Sequence, residues 1–214
     1  MVDSSTGRRL LITATIAAAC LAISGCAGNR TGQEPTPVPS ATQSPSQDPT
    51  ATPEPEPEPL DEPSSWIIES SGVGPLALGA GTAEARSSMR SFTDSTKEAC
   101  PWVAAFEKPG YPSIWLPDPS STGTVEQIVI QAWGVAGDVG ANSPRTSAGI
   151  GIGATEDQLL AAHPEVSAVQ GKYATHYSLQ GEDGNWVNFG ISDDGVVDTI
   201  VVRATSAIDS EYCS

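Results

Sequence analysis

Leu76-Ala77-Leu78-Gly79-Ala80-Gly81-Thr82-Ala83-Glu84-Ala85 and Ile150-Gly151-Ile152-Gly153-Ala154-Thr155-Glu156-Asp157-Gln158-Leu159 align without a gap at an offset of 74 residues. Self-similarity at a fixed spacing marks a duplicated unit. Both segments have a short apolar entry, a glycine at a turn, and a hydroxyl side chain with a nearby acid suited to cap a helix. The spacing predicts a first helix over residues 82–92, with Ala85, Met89 and Phe92 on one face at i, i+4 and i+7. The second helix is expected from the Thr155 cap through Leu159, Leu160 and Ala162, stopping at His163-Pro164.

Strands are expected after each helix. Residues 173–180, 186–192 and 196–204 alternate and are separated by Glu182-Asp183-Gly184-Asn185 and Asp193-Asp194-Gly195, which is hairpin chemistry. Upstream, residues 100–106, 111–115 and 125–133 form a corresponding set, with the Pro-flanked middle strand placed at a bend or an edge. The expected fold is α+β: a tandem repeat of a helix plus a three-stranded antiparallel meander, with repeats of about 72–146 and 147–214 inside a globular domain 64–214.

This pattern resembles the tandem-repeat architecture of the β-lactamase inhibitor protein family. It is also similar to uncharacterised lipoproteins of high-GC Gram-positive (actinobacterial) bacteria, through Gly72-Val73-Gly74-Pro75-Leu76-Ala77-Leu78-Gly79 and Ala148-Gly149-Ile150-Gly151-Ile152-Gly153-Ala154-Thr155. The resemblance implies a sheet surface that engages a protein partner. Activity does not follow from architecture, because function lives in the residues of a site.

The first 63 residues read differently. Arg8 and Arg9 precede an uncharged, mostly apolar run over residues 10–23, the layout of an export signal. That run falls short of the roughly 20 residues needed to span a bilayer. Ile23-Ser24-Gly25-Cys26 resembles the lipobox of bacterial lipoproteins. The resemblance implies a signal peptide over residues 1–25, cleavage before Cys26, a diacylglyceryl group on its thiol, and a position on the outer face of the cell membrane. Residues 26–63 follow as a tether, and ten of the eighteen prolines fall between Pro35 and Pro63. Pro53-Glu54-Pro55-Glu56-Pro57-Glu58-Pro59 lacks apolar surface to bury, and its prolines exclude helix and sheet ladder.

Composition narrows the partners. Ten Lys and Arg stand against twenty-six Asp and Glu, a formal charge of −16, with no basic stripe to neutralise phosphates, so nucleic acid is excluded as a partner. Of four cysteines, Cys20 lies in the signal and Cys26 carries the lipid, leaving Cys100 and Cys213 to pair in an oxidising compartment.

No catalytic residue, cofactor or metal site is expected from these residues. His163 sits at a helix stop, His176 alternates within a strand, and the Asp-Gly turns are too short for a calcium loop. Gly149-Ile150-Gly151-Ile152-Gly153 lacks the Lys-Ser/Thr of a P-loop. A hydrolase would need one of the histidines to meet a serine and an acid in a cleft. Five tryptophans among few aromatics remain. Trp115, Trp133 and Trp186 are the candidate binding surface, where an indole offers large contact area with a polar handle. The expected role is a non-enzymatic binding or accessory module of the cell envelope, with an envelope protein or glycan as partner. A proteinaceous enzyme inhibitor is the alternative.

Overall fold

Strict alternation along Ser113-Ile114-Trp115-Leu116 and Gln127-Ile128-Val129-Ile130-Gln131 divides these strands between two faces. Ile114, Leu116, Ile128 and Ile130 enter one core cluster, while Trp115, Val129 and Gln131 face away from it. The computed structural model describes residues 62–213 apart from 136, 173 and 210. The segments expected to be a signal peptide and a tether through residue 61, with Cys26, lie outside the described residues.

Among the described residues twelve strands form two sheets. The small sheet has the order β3-β2-β1-β8, from β1 (Ile67–Glu69), β2 (Gly72–Val73), β3 (Leu76–Ala77) and β8 (Arg145–Thr146). Its β1–β8 pair is parallel, joining Ile67 to Arg145 and Ile68 to Thr146. Behind β2, Gly74 adopts φ +50°, and an added Cβ would stand 2.4 Å from the buried Trp66 ring. Glycine is required there for conformation and for space alike.

The large sheet has the order β4-β5-β6-β7-β12-β11-β10-β9. Its strands are β4 (Thr93–Asp94), β5 (Val103–Glu107), β6 (Ser113–Pro117), β7 (Gln127–Gln131), β9 (Ser167–Gln170), β10 (Thr175–Gln180), β11 (Trp186–Ile191) and β12 (Val197–Arg203). All neighbours are antiparallel, and the central seam pairs Ile130 with Ile200 and Ile128 with Val202. The hairpin turns use Gly184 (φ +83°) and Gly195 (φ +74°), where a left-handed residue lets the chain reverse.

Two seven-residue α-helices complete the fold of the described residues. In α2 (Glu156–Ala162) the Thr155 hydroxyl accepts the Gln158 N–H, and the Gln158 side chain accepts the Thr155 N–H, a reciprocal capping box. Leu159 is fully buried, and the helix ends at His163 because Pro164 disfavours helical backbone before it. α1 (Thr82–Ser88) starts at Gly81 without a side-chain cap and stops before Met89. Met89 and Phe92 still reach the core, but from non-helical backbone.

The α+β tandem of helix plus three-stranded meander is therefore corrected. The domain is mostly β, with sheets of four and eight strands and only two short helices. Two causes stand out. The strands of both halves share one sheet through the β7–β12 seam, and the small sheet builds on segments of two or three residues that carry no periodic signal. The middle strand of the first set is also not an edge, since β6 lies between β5 and β7 and Pro117 occupies only its last position. The aligned segments do meet the sheet alike. Gly79 N–H donates to Val125 O and Val125 N–H to Ala80 O, both at 2.8 Å, while Gly153, Val197 and Ala154 repeat that pair of bonds at 2.8 Å.

Cys100 and Cys213 form a disulfide with Cα atoms 5.5 Å apart. Among the described residues no helix is long and apolar enough to cross a membrane.

Candidate functional site: a groove on the second sheet face

The face of the large sheet turned away from the core is crossed by the C-terminal tail. Val129 and Val201, cross-strand partners at the seam, are fully buried on this face outside the main core cluster. Sheet side chains hold the tail by its backbone. Asn188 Nδ2 donates to Thr205 O at 3.1 Å, His176 Nε2–H donates to Ser206 O at 3.2 Å, and Trp102 Nε1–H donates to Tyr212 O at 2.8 Å. Arg203 Nη1 reaches Asp209 Oδ2 at 2.6 Å, and the Cys100–Cys213 bond closes the end.

Beside the tail runs an open groove in two halves of about 570 and 560 Å³, which share Lys97, Trp115, Gln131 and Trp133. The half against the tail adds Asp198, Ile208, Glu211 and Tyr212. The far half adds Lys108, Tyr111 and Ser113. Trp115 packs edge-on against Tyr212 with ring centroids 6.1 Å apart. Trp133 lies just past the end of β7, is 76% exposed and borders both halves of the groove, so its indole is open to a partner there. The Trp115 Nε1–H and the Tyr212 hydroxyl are shielded from solvent with no hydrogen-bond partner among the described residues.

Electrostatics vary along the groove. Burial pushes the Asp198 carboxyl above its ordinary range and the Asp193 charge adds to this, against a hydrogen bond involving Thr199. Burial also raises Tyr212 strongly, reinforced by the Asp209 charge and opposed by Arg203. In the far half, Lys108 Nζ sits 4.2 Å from the Tyr111 ring centroid, and the Tyr111 hydroxyl donates to Glu62 Oε1 at 3.0 Å.

The structure brings Trp115 and Trp133 into one groove but leaves Trp186 out. Trp186 is on the same face in β11, opposite Arg203 and Gln180, and lines neither half. Trp66 is core, at 1% exposure. Sequence reasoning missed Asp198 and the tail residues Ile208, Glu211 and Tyr212. The one available signal was Asp198 itself, a charge breaking the run Val196-Val197-Asp198-Thr199-Ile200-Val201.

Neither histidine opens onto this groove. His163 Nε2 shares a hydrogen bond with the Thr146 hydroxyl at 3.0 Å, and its Nδ1 lies 3.5 Å from Glu165 Oε1, an arrangement reminiscent of a triad. The Thr146 hydroxyl is nevertheless buried, accepts the Ile150 N–H at 3.2 Å, and belongs to a residue only 5% exposed. The imidazole stacks on Phe189 at 6.2 Å. These groups pin β8 to α2 rather than face a cleft. Among the described residues no three His, Cys, Asp or Glu side chains gather as metal ligands.

No family model matches the chain, and no curated protein matches it. Among solved structures it is similar to a DUF4309 family protein, YjgB, from Bacillus subtilis. The two are 10% identical with a TM-score of 0.47, over 68% of this chain and 95% of that one.

Proposed function

We propose that this protein is a lipid-anchored, extracytoplasmic binding module of the cell envelope that works without catalysis through the second face of its large sheet. The observation that carries the binding role is the groove with Trp115 on its floor and Trp133 exposed at its rim. Aromatic side chains with a polar tip are enriched where proteins bind partners, because they contribute large contact area at small entropic cost. The anchor is read from Cys26, whose acyl chains would contribute about 0.8 kcal/mol per buried CH₂.

The test uses the full chain in a bacterial host that processes lipoproteins. Wild type is expected in the membrane fraction and Cys26→Ala in the soluble fraction. A photo-crosslinker beside position 133 is expected to capture an envelope component, with capture lost in Trp133→Ala. Equal membrane association of Cys26→Ala would refute the anchor, and capture indifferent to Trp133 would refute the groove. A second reading, an inhibitor that docks on an enzyme, draws on the same exposed Trp133. Inhibition of a β-lactamase panel by wild type but not by Trp133→Ala would select it.

A further inference from the structure

We propose that the half of the groove against the C-terminal tail takes a small organic cation, an ammonium group carried on an aliphatic body. This rests on the groove-binding reading above and names its ligand class. Three aromatic residues, Trp115, Trp133 and Tyr212, line this half together with the aliphatic Ile208. Two carboxylates, Asp198 and Glu211, line the same space of about 570 Å³, a size suited to a small molecule. Ring faces attract cations through their quadrupole, and carboxylates attract them through charge. Both kinds of wall therefore select the same sign.

The remaining charges do not cancel this selection. Asp209 also lines this half but is already engaged by Arg203 at 2.6 Å. Lys97 is the single cation lining it, and it sits on the side shared with the far half. Asp193 adds negative charge near Asp198, whereas Lys172 lies beyond the tail in a separate depression of about 190 Å³ that Asp198 also borders. Asp198 is half-buried and its carboxyl is pushed upward by lost hydration. A bound ammonium returns the stabilisation that water no longer supplies there. A neutral ligand of equal shape gains the rings but leaves that charge uncompensated, and an anion meets repulsion.

The experiment compares n-hexylammonium, n-hexanol and n-hexanoate, three probes with the same chain and different charge. Each is titrated into the purified full chain at low salt and neutral pH, with calorimetry and tryptophan fluorescence as readouts. Hexylammonium is expected to bind at least roughly tenfold more tightly than hexanol, the factor that about 1.4 kcal/mol of charge pairing supplies, and hexanoate least. Asp198→Asn is expected to remove most of that advantage while leaving hexanol binding unchanged. Glu211→Gln, on the exposed tail, is the second variant should Asp198→Asn fail to fold. Binding of hexanol or hexanoate as tight as hexylammonium overturns the cation class and leaves the groove reading standing. No binding by any probe also overturns the inference, and the groove reading is then decided separately by Trp133-dependent capture.

Discussion

Breaking the tie between the tail and the first half of the sheet tests how the second face is built. In Cys100→Ala/Cys213→Ala the chain loses a closure spanning 113 residues. In the chain-entropy model a loop of that length destabilises the unfolded state by about 4 to 5 kcal/mol. Cys100 is only 2% exposed, so its truncation adds a small packing loss of about 1 kcal/mol. The tail keeps its hydrogen bonds to Asn188, His176 and Trp102 and its ion pair with Arg203, none of which closes a covalent loop. Among the described residues the Trp115 indole N–H and the Tyr212 hydroxyl find no hydrogen-bond partner in that contact, each a cost rather than a gain. For a domain of this size the sum corresponds to a fall in Tm of roughly 10–20 °C. The assay is equilibrium urea unfolding of oxidised wild type, reduced wild type and the double variant, followed by tryptophan fluorescence and far-ultraviolet circular dichroism. Both reduced wild type and the variant should fall well below oxidised wild type, with the variant lower than reduced wild type by the truncation loss of about 1 kcal/mol. A loss below about 1 kcal/mol, or no effect of reductant on wild type, would refute the reasoning, since the closed loop would then not constrain the unfolded chain.

Three further outcomes are expected. Gly74→Ala should cost about 2–5 kcal/mol by thermal unfolding, because a left-handed backbone and a Cβ 2.4 Å from the Trp66 ring must both be relieved. A loss under about 1 kcal/mol would show that this turn relaxes freely. Thr155→Ala should cost about 1 kcal/mol by removing one side of the capping box, and Thr155→Ser should restore most of it. Asp198→Asn should be more stable than wild type at neutral pH. The Asp198 carboxyl is held above its unfolded value, so it favours folding at acid pH and loses that contribution as pH rises through the folded pKa. The Tm difference between variant and wild type should therefore grow from acid to neutral pH, and a difference that shrinks would refute the assignment.

Much of the second half was legible because local chemistry and tertiary role agree there. Thr155 caps a helix that ends at His163, and Gly184 and Gly195 turn the hairpins of β10, β11 and β12, whereas the reciprocal Gln158 bond emerges only from the structure. The elements that were missed carry weaker signals. β4 is two exposed residues, Thr93 and Asp94, and β9 is the largely exposed Ser-Ala-Val-Gln at the opposite edge. Both are strands by virtue of their neighbours rather than their own pattern. The parallel pairing of Ile67 with Arg145 joins residues far apart in sequence, and nothing local specifies it. The same limit applies to the groove. Trp66 and Trp115 look alike in sequence, yet one lies inside the core and the other on the far side of the sheet. Tyr212 becomes part of the wall because the Cys100–Cys213 bond and the Trp102 hydrogen bond to its carbonyl bring the tail back across that face, a pairing that no local pattern around Tyr212 announces.

The way the chain enters the domain has a mechanical consequence. Tension applied at Glu62 is carried first by the Tyr111 hydroxyl bond and by the buried Pro63, and then by Trp66, whose ring is clamped against Gly74. β1 follows immediately and is gripped from both sides, by β2 and by β8. To detach it, a pulling force must draw an indole out of the core and break two strand pairings together. Load entering from this end is therefore shared between the small sheet and Tyr111, so it is felt first in the far half of the groove and last in the half against the tail, around Asp198 and Tyr212.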